Sequence, residues 1–315
     1  MKAFHGHMKR IDRRRFLKDS VLGAAAAFFA DPRALMAQPA ARGTGASPAA
    51  PGIIDTNVNL FDWPFRALKY RDTKALITKL KKHRVTEAWA GSFEALLSKD
   101  TNGVNTRLAA ECRQHAGFLI PFGSVNLAWP DWEEDVRRCQ EVHKMPGIRI
   151  YPGYQPFDLD HPEMGTLLKM ISERGLILQV VFGMEDPRVH HPIIHVGPVT
   201  FSPLLKAMNR TPNAKVQLLH FSGAPQGDAL SQFMTKPNTF LEISRLEGNG
   251  AVGRMVGSIE GLPSARVAVD RIVFGSHAPY FPVETALLKL IESPLDAQQL
   301  QAIMHGNARR LLPRG

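Results

Sequence analysis

Cysteine is scarce in this chain. Two residues in 315, Cys112 and Cys139, are too few for a disulfide scaffold or a thiolate-based zinc site. Long apolar runs are missing as well. The stretch from Val21 to Ala30 falls well short of the roughly 20 residues that cross a bilayer. No glycine-rich phosphate loop follows the first strand-like segment, which argues against a dinucleotide-binding fold. No block of Lys and Arg is interleaved with aromatic residues. The formal charge of +10 is concentrated in residues 1–50, with nine Lys/Arg against three Asp/Glu, leaving 30 against 26 for the remainder. That balance is too even for a nucleic-acid-binding surface. A composition of 44% hydrophobic and 22% charged residues excludes a disordered chain, a collagen-like fibre and a coiled coil.

What is present begins with an address. Arg13-Arg14-Arg15-Phe16-Leu17-Lys18 stands directly before the short apolar run, and Ala34-Leu35-Met36-Ala37 follows with small residues suited to a signal peptidase. This resembles the twin-arginine export motif. Residues 1–37 are therefore expected to be a signal peptide, 38–50 a Pro/Gly/Ala-rich linker, and 51–315 the mature domain. The expected partner of the leader is the twin-arginine export machinery. The expected location is the periplasm or otherwise outside a bacterial cytoplasm, without a stable membrane anchor. Because such cargo folds before export in a reducing compartment, Cys112 and Cys139 are expected to be small buried hydrophobes and not a disulfide pair.

From Pro51 onward, short β-branched runs alternate with helical periodicity. Eight strands are predicted: Ile53–Val58, Val85–Ala90, Phe118–Val125, Gly147–Tyr151, Leu176–Phe182, Lys215–Phe221, Thr239–Ser244 and Arg271–Gly275. Amphipathic segments follow each, among them Thr73–His83, Asn105–His115, Trp132–His143 and Val283–Glu292. Eight β/α units in some 260 residues predict an α/β protein with a closed (β/α)8 TIM barrel, an open doubly wound sheet being the alternative. In such a barrel the chemistry gathers at the carboxyl ends of the strands. Those ends carry Asn57 and Asn59 on strand one, Arg149 and Tyr151 on strand four, Gln179 and Val181 on strand five, His220 on strand six, Arg245 just past strand seven and His277 past strand eight.

The opening Ile53-Ile-Asp-Thr-Asn-Val-Asn-Leu-Phe-Asp62, Gly147-Ile-Arg-Ile-Tyr-Pro152, Leu219-His220, Phe274-Gly275-Ser276 and the closing Asn307-Ala-Arg-Arg-Leu-Leu312 together resemble the amidohydrolase-related family, which includes lactonases and a metal-dependent decarboxylase of aminocarboxymuconate semialdehyde. The resemblance implies the barrel fold. It also implies a divalent metal, zinc or manganese, held by His-x-His on strand one, a His on strand five and an Asp on strand eight, with a His on strand six as base.

This chain departs from that pattern. Asn57 and Asn59 replace the His-x-His pair, strand five has no His, and His277 stands where the Asp would be. Only His220 matches its family position. Amides are weak zinc ligands, and no carboxylate is expected at these strand ends, so the inherited metal site reads as dismantled and no cofactor is expected. A new metal site built from Glu185, Arg188, His190 and His191 on the loop after strand five is the alternative. His220 and His277 are the expected catalytic pair, since imidazoles can act as acid and base near neutral pH. Asn57, Asn59, Arg149, Arg245 and Tyr151 are expected to bind the substrate, and the two guanidiniums favour an anionic small molecule unless they pair with a loop acid such as Glu247. Asp55, on the same side as Asn57 by strand alternation, reads as a structural acceptor. The function expected is hydrolysis of a small lactone, cyclic ester or amide. The alternatives are a catalytically silent barrel that binds a small polar ligand and a metal-dependent decarboxylase.

Overall fold

The computed structural model describes residues 51–220, 227–257 and 267–313. The expected leader and linker lie outside the described residues. The strands are β1 (Ile53–Leu60), β2 (Val85–Ser92), β3 in two pieces (Leu119–Pro121 and Gly123–Ser124), β4 (Gly147–Ile150), β5 (Ile177–Val181), β6 (Lys215–Leu219), β7 (Thr239–Glu242) and β8 (Ile272–Val273). Every pairing between consecutive strands is parallel. The helices between them are α1 (Thr73–Lys82), α2 (Thr101–Gln114), α3 (Trp132–Glu141), α4 (Met164–Glu173), α5 (Ser202–Arg210), α6 (Gly227–Met234) and α7 (Ala251–Val256), and α8 (Val283–Ile291) follows β8. The ring closes where the segment after β8 meets β1. Thr56 N donates to Phe274 O at 3.0 Å, His277 N to Asn57 O at 2.8 Å and Asn59 N to Ala278 O at 2.8 Å. The fold is a (β/α)8 barrel, and the open sheet is excluded by these bonds.

Local chemistry explains the elements. Asp72 and Asp100 cap α1 and α2 by accepting from Ala75 N and Gly103 N, each at 2.8 Å, which satisfies amides that have no partner in the first turn. The strands are buried on both faces, as a parallel barrel requires. Ile53, Val58 and Leu60 pack with Leu76 and Leu80 of α1, while Ile54 belongs to a separate inner cluster with Trp89, Ile177, Phe240 and Val273. Both cysteines are buried and unpaired, and burial pushes the Cys112 thiol up to about 12.

Two irregularities shape the site. The first is a bulge in β1: Asp55 pairs with Ala88 but Val58 with Ala90, so three steps on β1 face two on β2. Alternation is broken there. Thr56 and Asn57 both reach the barrel interior, whereas Asp55 is turned away to bond Ser276 N at 3.0 Å and Ser276 Oγ at 2.5 Å. The expectation that Asp55 shares a side with Asn57 is corrected by this bulge. The second is at Phe122, between the two pieces of β3: its N–H still bonds Ala90 O of β2 at 2.8 Å, and the Gly123–Ser124 piece pairs with β4. Asn105 of α2 secures the displaced piece, accepting from Ser124 N at 2.7 Å and donating to Ser124 O at 2.8 Å. Replacing Asn105 by Leu strands two buried backbone groups and should lower the unfolding free energy by about 2–4 kcal/mol; a urea titration showing a loss below about 0.5 kcal/mol would contradict this role.

Candidate functional site

The barrel interior is layered. Above the apolar floor lies a polar layer formed by Arg149, Gln179 and Gln217, register partners on β4, β5 and β6. The Arg149 guanidinium donates from Nε to Gln179 Oε1 at 2.8 Å, from Nη1 to Asn59 Oδ1 at 2.9 Å and Val58 O at 3.0 Å, and from Nη2 to Trp89 O at 3.3 Å. Gln179 Nε2 passes on to Thr56 O at 3.0 Å and Gln217 Oε1 at 2.9 Å, and Gln217 Nε2 donates to Thr56 Oγ1 at 2.7 Å. Above this layer sit Asn57, Asn59, His220, Glu242, Ser244 and His277, all buried.

Glu242 organises the upper layer. Its Oε2 accepts from Asn57 Nδ2 at 3.0 Å, His220 N at 3.0 Å and Ser244 Oγ at 2.9 Å, and Ser244 N bonds its Oε1. Those donors fix the protons around His220. The single hydroxyl proton of Ser244 goes to Glu242, so Ser244 Oγ meets His220 Nδ1 (3.3 Å) as an acceptor. The proton of His220 therefore sits on Nδ1, and the lone pair on Nε2 is left 3.4 Å from Asn57 Nδ2. Because Asn57 Nδ2 must face the carboxylate, its Oδ1 points elsewhere, and that oxygen is buried without a partner. The His277 ring lies edge-on to His220 with centroids 4.0 Å apart. Its Nδ1 faces Asn59 Nδ2 at 3.3 Å and its Nε2 faces Met184 O at 3.0 Å.

Both histidines adopt left-handed backbone conformations, φ 59° for His220 and 58° for His277, uncommon for residues with a Cβ and typical of strained functional positions. Burial drives both imidazole pKa values well below 6.5. Next in effect on His220 come the neighbouring His277 and the positive charges of Arg149 and Arg245. The Met184 carbonyl partly offsets the same forces on His277. Both rings are neutral at physiological pH. Burial raises the carboxyl of Glu242, against its hydrogen bonds, and pushes Asp55 up to about 7.

The residues singled out from the sequence converge, but not all as expected. Arg149 was expected at the mouth; it lies fully buried inside the barrel with its donors on protein oxygens. Tyr151 is equally buried, its hydroxyl donating to Ser92 O at 3.3 Å. Arg245 is half-buried, and among the described residues no loop acid pairs with it; its Nη1 donates to Gly183 O at 3.0 Å and Glu185 O at 2.9 Å, and its Nε is buried and unpartnered. On the loop after β5, Glu185 accepts from Tyr280 OH at 3.0 Å, Arg188 is exposed and bonds Asp186, and His191 stacks on Phe65. The expectation that no carboxylate stands at the strand ends is corrected by Glu242. A lone acidic residue inside the apolar run Phe240-Leu-Glu-Ile243 was the signal that could have revealed it, since an unpaired carboxylate is rarely buried. Trp63, Phe93, Met184 and Tyr280 close over the top as one apolar cluster. An open groove of about 790 Å³ runs past Trp129, Trp132 and Arg174 on the outer helices, away from these residues.

The divalent metal implied by the resemblance does not fit this donor set. Asn59 Oδ1 and Gln179 Oε1 are occupied by a guanidinium, both ring nitrogens of His277 have partners, His220 Nε2 faces the Asn57 amide, and the Glu242 oxygens accept from Asn57, His220 and Ser244, which leaves Asn57 Oδ1 as the unpartnered oxygen of this group. Among the described residues, no three of His, Cys, Asp and Glu are grouped to hold an ion. The buried titrating groups make a test of the geometry. Asp55 ionises near 3.8 when unfolded and near 7 when folded, so its extra proton favours the folded state increasingly as pH falls through that window. The histidines act oppositely below 6.5, where the unfolded chain takes up protons that the folded one refuses. Asp55→Asn keeps the Oδ1 acceptor but removes the compensation, and should steepen the loss of stability between pH 6.5 and 5 by about 1.4 kcal/mol per pH unit. Urea midpoints measured across that range check this, and an unchanged slope would contradict it.

The model of the amidohydrolase family (Amidohydro_2) matches residues 54–314. No curated protein sequence matches the chain. Similar solved structures include a 2,6-dihydroxybenzoate decarboxylase from Rhizobium (15% identity, 83% of this chain and 98% of that one, TM-score 0.62). Others are a 5-carboxyvanillate decarboxylase from Sphingomonas paucimobilis (14%, 82% and 98%, 0.61) and an uncharacterized TIM-barrel protein from Bordetella bronchiseptica (15%, 82% and 98%, 0.61). At these identities the likeness is one of fold. With the family match running through almost the whole barrel, the chain belongs to the amidohydrolase family.

Proposed function

We propose that this amidohydrolase-family barrel is an exported hydrolase that opens a small lactone, cyclic ester or amide by general-base catalysis at His220, without a metal. One observation carries the reading: His220 Nε2 meets only the Asn57 amide, at 3.4 Å, and Asn57 Oδ1 is a buried acceptor without a partner. A water that takes the place of the long Asn57 contact at His220 Nε2 can donate one hydrogen to that nitrogen and present its oxygen to a carbonyl carbon, with the Asn57 amide beside it. His220 takes the proton as the carbon–oxygen bond forms. It returns the proton to the ring oxygen or nitrogen as that bond breaks, giving the opened hydroxy or amino acid. Glu242 and Ser244 hold the imidazole in the required tautomer, as in other base–carboxylate pairs. Arg245 Nε, a buried donor with no partner, is suited to the carbonyl oxygen or to an anionic group on the substrate. Access requires the segment around Met184 and Glu185 to lift from the aromatic cluster.

The full burial of His220, His277, Asn57 and Asn59 favours a second reading, a barrel that binds a polar ligand without turning it over. A panel of lactones and cyclic amides separates the two. Activity on any member should fall by about two orders of magnitude or more in His220→Ala. An undiminished rate would remove His220 from the mechanism, and a protein inactive across the panel that still binds one of the ring-opened products would favour the second reading.

A further inference from the structure

A fully buried guanidinium without a carboxylate partner is an expensive group to keep inside a barrel. Among the described residues no acid pairs with Arg149; its hydrogen bonds go to Gln179 Oε1, Asn59 Oδ1, Val58 O, Trp89 O and the Tyr151 hydroxyl, none of them a carboxylate. Glu242 and Asp55 act on it only through space. The space for it is built in. On β2, a Cβ at Gly91 would stand 2.6 Å from Arg149 Nη1 and 2.9 Å from the Tyr151 hydroxyl, so the strand leaves out the side chain that would exclude this cation. Two of these oxygens come from Asn59 on β1 and Gln179 on β5, the strands from which the family's ligands are expected.

We propose that the Arg149 guanidinium replaces a divalent ion as the fixed cation of this barrel, ligated by the amide oxygens of Asn59 and Gln179, and that through Asn59 it joins the Met184 carbonyl in setting the tautomer of His277. Neutral amide oxygens suit a monocation, just as imidazole and carboxylate suit zinc. The relay follows from hydrogen counting. Arg149 holds Asn59 Oδ1 at 2.9 Å, so Asn59 Nδ2 is turned to His277 Nδ1 at 3.3 Å. Nδ1 must then accept, the ring proton lies on Nε2, and Nε2 donates to Met184 O at 3.0 Å. With both nitrogens committed, His277 takes no proton from His220; it anchors the segment that covers the site. Arg149 touches no reacting atom and is a positioning residue. A guanidinium has no open coordination position with which to activate water, which is why the base must be a side chain. The replacement of the ion and the His277 tautomer stand whether or not the barrel hydrolyses anything, so their test does not depend on turnover.

Two measurements on the full chain decide it. In ¹⁵N-histidine-labelled protein, two-bond proton–nitrogen spectra, with His277 assigned by the signal lost in His277→Gln, should show the Nε2–H tautomer in the parent. In Arg149→Met that signal should become a mixture of tautomers. An Nδ1–H tautomer in the parent, or an unchanged one in a folded Arg149→Met, would overturn the relay. Zinc chloride titrated against a competing chelator tests the replacement. Asn57→His with Asn59→His restores the two imidazoles, yet should bind zinc at least 100-fold more weakly than the same pair combined with Arg149→Met. Equal affinity in the two would overturn the proposal. Should Arg149→Met fail to fold, tight one-to-one zinc binding by the histidine pair with Arg149 in place would overturn it equally.

Discussion

One positive charge, enclosed by the barrel, is the constraint around which the upper half of this structure is arranged. A guanidinium taken out of water is tolerated when its donors are satisfied and an opposite charge lies within reach. Asn59, Gln179 and two carbonyls meet the first condition. Glu242 and Asp55 supply the second at longer range. The same charge keeps His220 and His277 neutral by adding to the effect of burial. A base, a carboxylate and a cation thus lie near one another inside the barrel, where the cation adds to burial in keeping the base unprotonated.

Polar layers inside barrels of this kind are usually limited, because branched apolar side chains fill the interior best. Here Arg149, Gln179 and Gln217 occupy equivalent positions on three adjacent strands and are joined to Thr56 of the first. Such a network stabilises only when nearly complete; among the described residues, an acceptor left open above it is Asn57 Oδ1. Leaving a buried oxygen unsatisfied near an imidazole whose Nε2 has only a long amide contact is unfavourable for stability, and it suits a site that takes up a polar ligand or water. The left-handed backbones of His220 and His277 are a further local cost, as is usual where side chains are aimed for chemistry.

Much of the fold was legible in the sequence because strand periodicity and capping are local signals. All eight barrel strands fall within the segments picked out by their β-branched runs or within two residues of them, β6 for example spanning Lys215–Leu219 and β7 Thr239–Glu242. The bulge between Asp55 and Val58 was not legible, since nothing in Asp-Thr-Asn-Val announces an extra residue; it arises from closing β1 against the segment after β8. The break of β3 at Phe122 was hidden for the same reason. At the site, convergence of His220, His277, Asn57 and Asn59 could be read from strand ends, but direction could not. Arg149 turns inward because Gly91 leaves room for it, a fact about the neighbouring strand. Glu242 was overlooked because one acid in an apolar run acquires meaning only when His220 and Asn57 are seen to bond it.

Elemental analysis of the tag-free chain after extensive dialysis tests most directly whether this barrel works without a resident metal. Substoichiometric traces of zinc, manganese and iron, unchanged when Asn57 or His277 is replaced, are the expected result. Close to one ion per chain, lost on replacing either residue, would contradict the metal-free site built around Arg149.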